Sequence, residues 1–266
     1  MPFPPPNRKM IYRMNFNPWL LAGFELKCAV TRVYGTALES KIQEAVKGNG
    51  TVKNEIKQLQ SGDCIISFNY DLLAEKILRQ HNKKVAVANP YSDTTNLKDA
   101  ILLCKPHGSL SWKQWSPERG GSPKILNMPM QEWKIDFIRE IGANILPGII
   151  GPVPFKDEII FSDLQLGEVP LFFNLVVAQW RSAIQCISET EKLVVLGYGF
   201  PPEDLHAHYL FAEAAAKRES DKELEIEVYE ICGQRFNDVK KNIAEVLEPA
   251  SCKYRCEYKG EACVFG

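Results

Sequence analysis

Residues 61–75 read Ser-Gly-Asp-Cys-Ile-Ile-Ser-Phe-Asn-Tyr-Asp-Leu-Leu-Ala-Glu, an apolar run that stops at polar residues and passes directly into a helical pattern. The polar residues form the turn Asn69-Tyr70-Asp71. This pattern is typical of a buried strand that leads into a helix. In open parallel α/β sheets, ligands bind outside the carboxyl ends of the strands. Asn69 and Asp71 are therefore expected to face a ligand.

Two further strand ends carry similar polar turns. The apolar run Ile101–Cys104 is followed by Lys-Pro and then His107-Gly108-Ser109, and the run 193–196 is followed by Gly197-Tyr198-Gly199. Gly197 and Gly199 let the backbone approach a ligand closely. The helix predicted beyond that turn offers free N–H groups to an anion. The three turns together predict one ligand site.

Strand and helix patterns alternate along most of the chain. Strands are predicted at 63–68, 84–88, 101–104, 193–196, 224–231 and 253–258, and helices at 36–47, 51–59, 170–187, 205–217 and 238–247. This alternation predicts an α/β fold with a Rossmann-like, mostly parallel sheet flanked by helices.

The same patterns predict how the chain is divided. Residues 1–62 form a mainly helical N-terminal extension, and residues 63–266 form the Rossmann-type domain. Residues 113–168 are rich in Gly and Pro and contain one helical pattern, Met130–Ile141. We interpret this stretch as an insertion that covers the ligand site, because long loops in compact domains are usually functional.

Composition excludes several classes of protein. The 266 residues are 45% apolar, which is enough for one large core, and the net charge of −1 lacks the basic surface of a nucleic-acid binder. No long apolar segment and no secretory signal are evident, so a cytoplasmic protein without membrane contact is expected.

Eight cysteines are scattered along the chain. Reduced core thiols are the expected state of Cys64, Cys104, Cys186 and Cys232, which have apolar neighbours in sequence. The tail pattern Cys252-x3-Cys256-x6-Cys263 is poorly spaced for zinc, so no metal is expected.

The three polar turns, taken in their order along the chain, resemble motifs of the sirtuin-like family of NAD-consuming proteins, particularly its bacterial branch. These turns are Asn69-Tyr70-Asp71, His107-Gly108-Ser109 and Gly197-Tyr198-Gly199. The resemblance runs from about residue 61 to about residue 216 and includes the Pro-rich segment 147–156. It implies a fold that binds NAD, a small-molecule nucleotide, as its substrate. Whether the chain forms a homo-oligomer or binds a protein partner stays open.

The resemblance also implies roles for individual residues. His107 would contact the ribose hydroxyls as general base, a task that suits imidazole because it titrates near neutrality. Asn69 would orient the ribose or the attacking water, and Asp71 would help to hold nicotinamide. The residues implied to line the nucleotide are Gly108, Ser109, Gly197, Tyr198 and Gly199.

Each of these assignments has a structural alternative. Asn69 could be a turn former, Asp71 could cap the following helix, and His107 could lie on a plain turn. Glu75 fits the family's Asn-Tyr-Asp-x3-Glu pattern, and on a helix it could equally form a structural salt bridge.

The chain departs from the family in three ways. The Gly-Ala-Gly-x-Ser loop that holds the pyrophosphate is absent from residues 1–60, Gly199 stands where the family usually has Ser, and the Cys-x2-Cys zinc module of deacylating sirtuins is absent. Hydrolysis of NAD to nicotinamide and ADP-ribose, the activity associated with bacterial anti-phage defence, is the first hypothesis. An inactive nucleotide- or partner-binding module and an NAD-dependent protein deacylase are the alternatives.

Overall fold

The computed structural model describes residues 39–88, 99–115, 124–127, 145–149, 169–219, 222–230 and 235–262. The helices in these residues are α1 (Glu39–Lys47), α2 (Thr51–Gln58), α3 (Leu73–Gln80), α4 (Val169–Glu189), α5 (Leu205–Lys217) and α6 (Phe236–Leu247). The strands are β1 (Cys64–Ile66), β2 (Val85–Val87), β3 (Ile101–Cys104), β4 (Gly108–Trp115), β5 (Lys124–Asn127), β6 (Ile145–Ile149), β7 (Lys192–Leu196), β8 (Leu224–Glu230) and β9 (Tyr254–Glu261).

The described strands form three sheets of three strands each. The first has the order β1-β3-β2 and the third the order β7-β8-β9, and every strand pair in both is parallel. The second sheet, β5-β4-β6, is antiparallel. Helices connect and flank the parallel strands, which confirms the predicted α/β, Rossmann-like, mostly parallel architecture.

Alternation along the strands of the first sheet separates two apolar layers. In β1, Ile65 packs with α1, α2 and α3, whereas Cys64 and Ile66 on the opposite face pack into the larger core. In β3, Ile101 packs with α1, α2 and α3, whereas Leu102 packs into the larger core. Successive side chains of a strand point to opposite faces, so this sheet is covered on both sides.

The first and third sheets share the larger core. Ile66 of β1 and Cys104 of β3 belong to the same apolar cluster as Val195 of β7 and Val228 of β8. Helix α4 contacts β1, β3 and α5, and α5 contacts α6. The carboxyl ends of β1, β3 and β7 are thereby brought to one region of the molecule.

The stretch 113–168, which was predicted to be an insertion, contains strands that the sequence did not predict. The end of β4 and all of β5 and β6 lie within it, and they pair as an antiparallel sheet. Their signal is weak because β6, Ile145–Ile149, contains a Pro-Gly pair, which ordinarily marks a turn. The helical pattern Met130–Ile141 and most of the insertion lie outside the described residues.

Part of the predicted N-terminal helical extension is described. Helices α1 and α2 lie within it, and both pack on α3 through the smaller apolar cluster. Residues 1–38 lie outside the described residues. The domain boundary at residue 63 stays a prediction.

Candidate functional site

Three aromatic rings meet where β1, β3 and β7 end. Phe68, two residues after β1, lies with its ring centre 5.2 Å from that of His107, which follows β3. The ring of Phe68 also stacks on that of Tyr198, which follows β7, at 4.7 Å and an interplanar angle of 23°. The structure therefore brings together residues that lie in, or directly beside, all three predicted strand-end turns.

His107 is buried beside Phe68. Its Nδ1 lies 3.2 Å from the carbonyl oxygen of Phe68. Because a carbonyl oxygen can only accept, this hydrogen bond requires a proton on Nδ1. In the neutral imidazole Nε2 then carries the lone pair that a general base needs. The rings of Tyr70 and Trp180 lie 6.5 Å and 6.2 Å from the imidazole, so the surroundings are largely aromatic.

A carboxylate faces the Nε2 side of His107. Oδ2 of Asp204 lies 3.9 Å from that nitrogen, and the side chains of His107 and Asp204 are only 11% and 14% exposed. Asp204 also accepts a hydrogen bond from the Tyr198 hydroxyl at 3.2 Å. Burial, followed by the charge and the hydrogen bond of Asp204, raises the pKa of Tyr198, so this hydroxyl stays protonated and donates at neutral pH.

Asp204 is a site residue that the sequence analysis missed. It is the N-cap of α5, and its Oδ1 accepts a hydrogen bond from the backbone N–H of Ala207. The sequence Pro201-Pro202-Glu203-Asp204 immediately before a helix carries the signal, because Asp is among the preferred N-cap residues. Sequence spacing gave no reason to connect this cap with His107.

A buried lysine connects the Asn-Tyr-Asp turn to the end of β3. Lys105 is 1% exposed, and its Nζ forms a 3.0 Å salt bridge with Oε1 of Glu75. The same ammonium donates to the carbonyl oxygens of Tyr70 and Asp71. The structure thus supports the salt-bridge interpretation of Glu75. Oε2 of Glu75 has no hydrogen-bond partner among the described residues, so this buried carboxylate depends on Lys105.

Asn69 and Asp71 occupy different positions in their turn. Asn69 is exposed. Oδ1 of Asp71 accepts a hydrogen bond from the backbone N–H of Leu73 at 2.9 Å and so caps the start of α3. Among the described contacts, it is the intervening residue Tyr70 that faces His107.

The predicted glycines and serine divide into three groups. Gly108 and Gly197 have φ values of +90° and +66°, which glycine adopts without strain. Ser109 is fully buried at the start of β4. At Gly199 an added Cβ would meet nothing within 4 Å, and the carbonyl oxygen accepts a hydrogen bond from Asn242. Gly199 is therefore not required for space in this structure.

A family model described as SIR2-like domain matches residues 63–227 of the chain. The chain belongs to the SIR2-like family. The matched residues run from β1 to β8 and contain every predicted site residue together with Asp204. A search of curated proteins finds no match.

Membership of the SIR2-like family confirms the sirtuin-like resemblance. SIR2-like domains bind NAD, so the chain is assigned as a sirtuin-like, NAD-binding module. None of the helices in the described part of the chain has the length and hydropathy of a membrane span.

Proposed function

We propose that this SIR2-like domain hydrolyses NAD to nicotinamide and ADP-ribose at the ends of β1, β3 and β7. The observation that carries the proposal is the position of His107. Its Nδ1 is held by the carbonyl oxygen of Phe68, and its Nε2 faces a buried carboxylate. A buried imidazole held in this tautomer is suited to accept a proton.

The reaction breaks the bond between nicotinamide and C1′ of the ribose. The bonding electron pair leaves with the nicotinamide nitrogen, and the ribose passes through an oxocarbenium-like state, as in glycoside hydrolysis. Water adds its oxygen to C1′ to give ADP-ribose, and one water proton must be removed. Nε2 of His107 accepts a proton from the ribose hydroxyl or from the water. The carboxylate of Asp204 then stabilises the imidazolium.

The aromatic surroundings of His107 suit a planar leaving group. Tyr70, Trp180 and Phe68 lie around the imidazole, and such rings provide apolar faces for a flat heterocycle. We assign the exposed Asn69 to orienting the ribose or the attacking water. Oδ1 of Asp71 serves the helix cap, so Oδ2 is the oxygen that we assign to the nicotinamide carboxamide.

The nucleotide's phosphates are assigned to the end of β7. The left-handed backbone at Gly197 and the N-terminal turn of α5 lie beside Tyr198. Because the carboxylate of Asp204 already caps that turn of α5 and would repel an anion, the assignment rests on the backbone around Gly197. Ser109 is buried, so its assignment to the nucleotide is the weaker one and Gly108 is assigned a conformational role in the turn.

Binding without hydrolysis is the second candidate, supported by two features. The family's Gly-Ala-Gly-x-Ser loop is absent from residues 1–60, and Gly199 lacks the hydroxyl of the family's Ser. Both changes reduce polar contacts to NAD. Deacylation has less support, because the sequence contains no cysteine between Cys104 and Cys186 from which to build the family's zinc module.

Product analysis separates these candidates. The purified full chain is incubated with NAD, and nicotinamide and ADP-ribose are followed by chromatography, with thermal shift by NAD on the same samples. Release of both products in equal amounts, reduced at least tenfold in Asn69→Ala, supports hydrolysis. A thermal shift without product supports binding alone. Consumption of NAD only when an acyl-lysine peptide is added would replace both with deacylation.

A further inference from the structure

Three cysteines from separate elements converge beneath the site. Cys64 begins β1, Cys104 ends β3, and Cys186 lies on α4. Their three Sγ atoms all lie within 4.8 Å of one another, and those of Cys64 and Cys104 are 3.9 Å apart. Among the described residues this is the group with metal-ligand geometry. These cysteines are far apart in sequence and are unrelated to a Cys-x2-Cys module.

The strand register disfavours a disulfide between Cys64 and Cys104. Cys64 pairs with Leu102, so Cys104 is two residues further along the neighbouring strand. With strands about 4.8 Å apart and a rise of about 3.3 Å per residue, their Cα atoms are about 8 Å apart. A disulfide requires Cα atoms within about 7 Å.

A metal ion satisfies the same geometry. Zinc–sulfur bonds are about 2.3 Å long, so two thiolates on one tetrahedral ion lie about 3.8 Å apart. The Cys64–Cys104 sulfur separation of 3.9 Å matches this value, and a small shift of the Cys186 side chain would complete three ligands. Thiolates select soft cations such as Zn²⁺ and Cu⁺ over Mg²⁺ or Ca²⁺.

We propose that Cys64, Cys104 and Cys186 together bind one thiophilic cation, Zn²⁺ or Cu⁺. Cys104 is fully buried, whereas Cys64 and Cys186 are half-buried. The ion joins β1, β3 and α4 directly below the strand ends that carry Phe68 and His107. Its binding therefore stabilises the base of the nucleotide site, independently of whether NAD is hydrolysed. The cysteines are then ligands, and not only the core thiols that the sequence predicted.

The test uses the reduced full chain under anaerobic conditions, titrated separately with Zn²⁺ and Cu⁺ against a competing chelator. We expect one ion per chain and a rise in melting temperature. Substitution with Co²⁺ should give a thiolate-to-metal charge-transfer band. Cys186→Ala should weaken binding at least tenfold, whereas Cys256→Ala, on β9, should leave it unchanged. The preferred ion distinguishes a zinc site from a copper site.

Thiol alkylation followed by mass spectrometry gives a readout that needs no variant. Cys104 is buried with or without the ion, so bound metal should protect Cys64 and Cys186 and leave Cys252 and Cys256 as reactive as in the metal-free chain. Binding of no ion by the folded, reduced chain would overturn the proposal. Binding that survives Cys186→Ala at full affinity, or protection of only Cys252 and Cys256, would overturn it as well.

Discussion

Nε2 of His107 lies 3.9 Å from Oδ2 of Asp204, and both side chains are largely removed from solvent. The two residues come from different sheets: His107 follows β3, and Asp204 precedes the helix after β7. At this separation the carboxylate acts through its charge and stabilises an imidazolium more than a neutral imidazole. The proposed role of His107 as proton acceptor therefore depends on a contact between residues that follow two different parallel sheets.

Replacement of Asp204 tests the charge without removing the helix cap. Asp204→Asn should lower kcat for nicotinamide release by about 10²-fold, with a smaller change in KM, because a neutral amide does not stabilise the imidazolium. Asn caps helices about as well as Asp, so the free energy of unfolding should change little. Glu203→Gln, at the neighbouring exposed position, is the matched control. Equal kinetics for the two variants would remove Asp204 from the mechanism.

The buried pair Lys105–Glu75 should respond strongly to removal of one partner. Lys105→Met leaves the Glu75 carboxylate buried without its cation and should lower the free energy of unfolding by about 3–5 kcal/mol. The double variant Lys105→Met with Glu75→Leu should recover most of that loss.

Urea denaturation of the two single variants and the double variant measures this coupling. Lys41→Met is the control, because the Lys41–Glu44 pair is exposed on both sides. Its loss should cost less than about 1 kcal/mol. An equal, small cost at Lys105 and Lys41 would show that the buried pair contributes no more than a surface pair.

Gly108 should tolerate a side chain poorly. Its φ of +90° lies where an L-residue is strained, so Gly108→Ala should cost about 1–2 kcal/mol of folding free energy. The strain falls next to His107, so nicotinamide release should decrease as well. Gly199→Ala is the matched control, because an added Cβ there meets nothing within 4 Å. The melting temperature of Gly108→Ala should be lower than that of Gly199→Ala, and the reverse order would contradict the backbone argument.

The third sheet contains a carboxylate between two lysines, which predicts a pH dependence. Glu227 of β8 forms ion pairs with Lys192 of β7 at 2.8 Å and with Lys259 of β9 at 3.3 Å. The hydrogen bond from Lys192, and then that from Lys259, lower the pKa of Glu227. A carboxylate with a lowered folded-state pKa adds stability above its unfolded pKa of about 4.3 and loses it as the pH falls through the folded value.

The difference in unfolding free energy between the parent and Glu227→Gln should therefore be constant from about pH 7 to pH 5 and should shrink at lower pH. Because Lys192 is half exposed, the difference should be on the order of 1 kcal/mol. Urea melts at several pH values measure it. A difference that is the same at pH 3 and pH 7 would contradict the ion-pair explanation.

The parallel strands and their turns could be predicted from sequence because the signals are local. The apolar run Cys64–Ile66 followed by Asn69-Tyr70-Asp71 shows both the strand and its end within a few residues. The antiparallel strands β5 and β6 could not be predicted, since Gly and Pro in the insertion obscure the alternation. Their pairing with β4 depends on contacts between distant segments.

Contiguous motifs indicated candidate site residues, whereas candidates that reach the site through tertiary contacts were not found from sequence. His107 was identified from its own turn. Asp204 contacts His107, which is 97 positions away in sequence, and Lys105 forms a salt bridge with Glu75, which is 30 positions away. An N-cap Asp and a lysine at the end of an apolar strand are common structural residues. Only the packing of α5 and α3 against the strand ends gives these two side chains their place beside the site.

The most direct test of the central claim compares two histidines in one assay. His107→Asn keeps an amide donor in place of Nδ1–H for the Phe68 carbonyl oxygen but removes the proton acceptor. His81→Asn, at the C-terminal end of α3, is the control. We expect nicotinamide release by the parent and by His81→Asn, and a loss of at least 10²-fold in His107→Asn with folding retained. Release by a folded His107→Asn at the parental rate would contradict it.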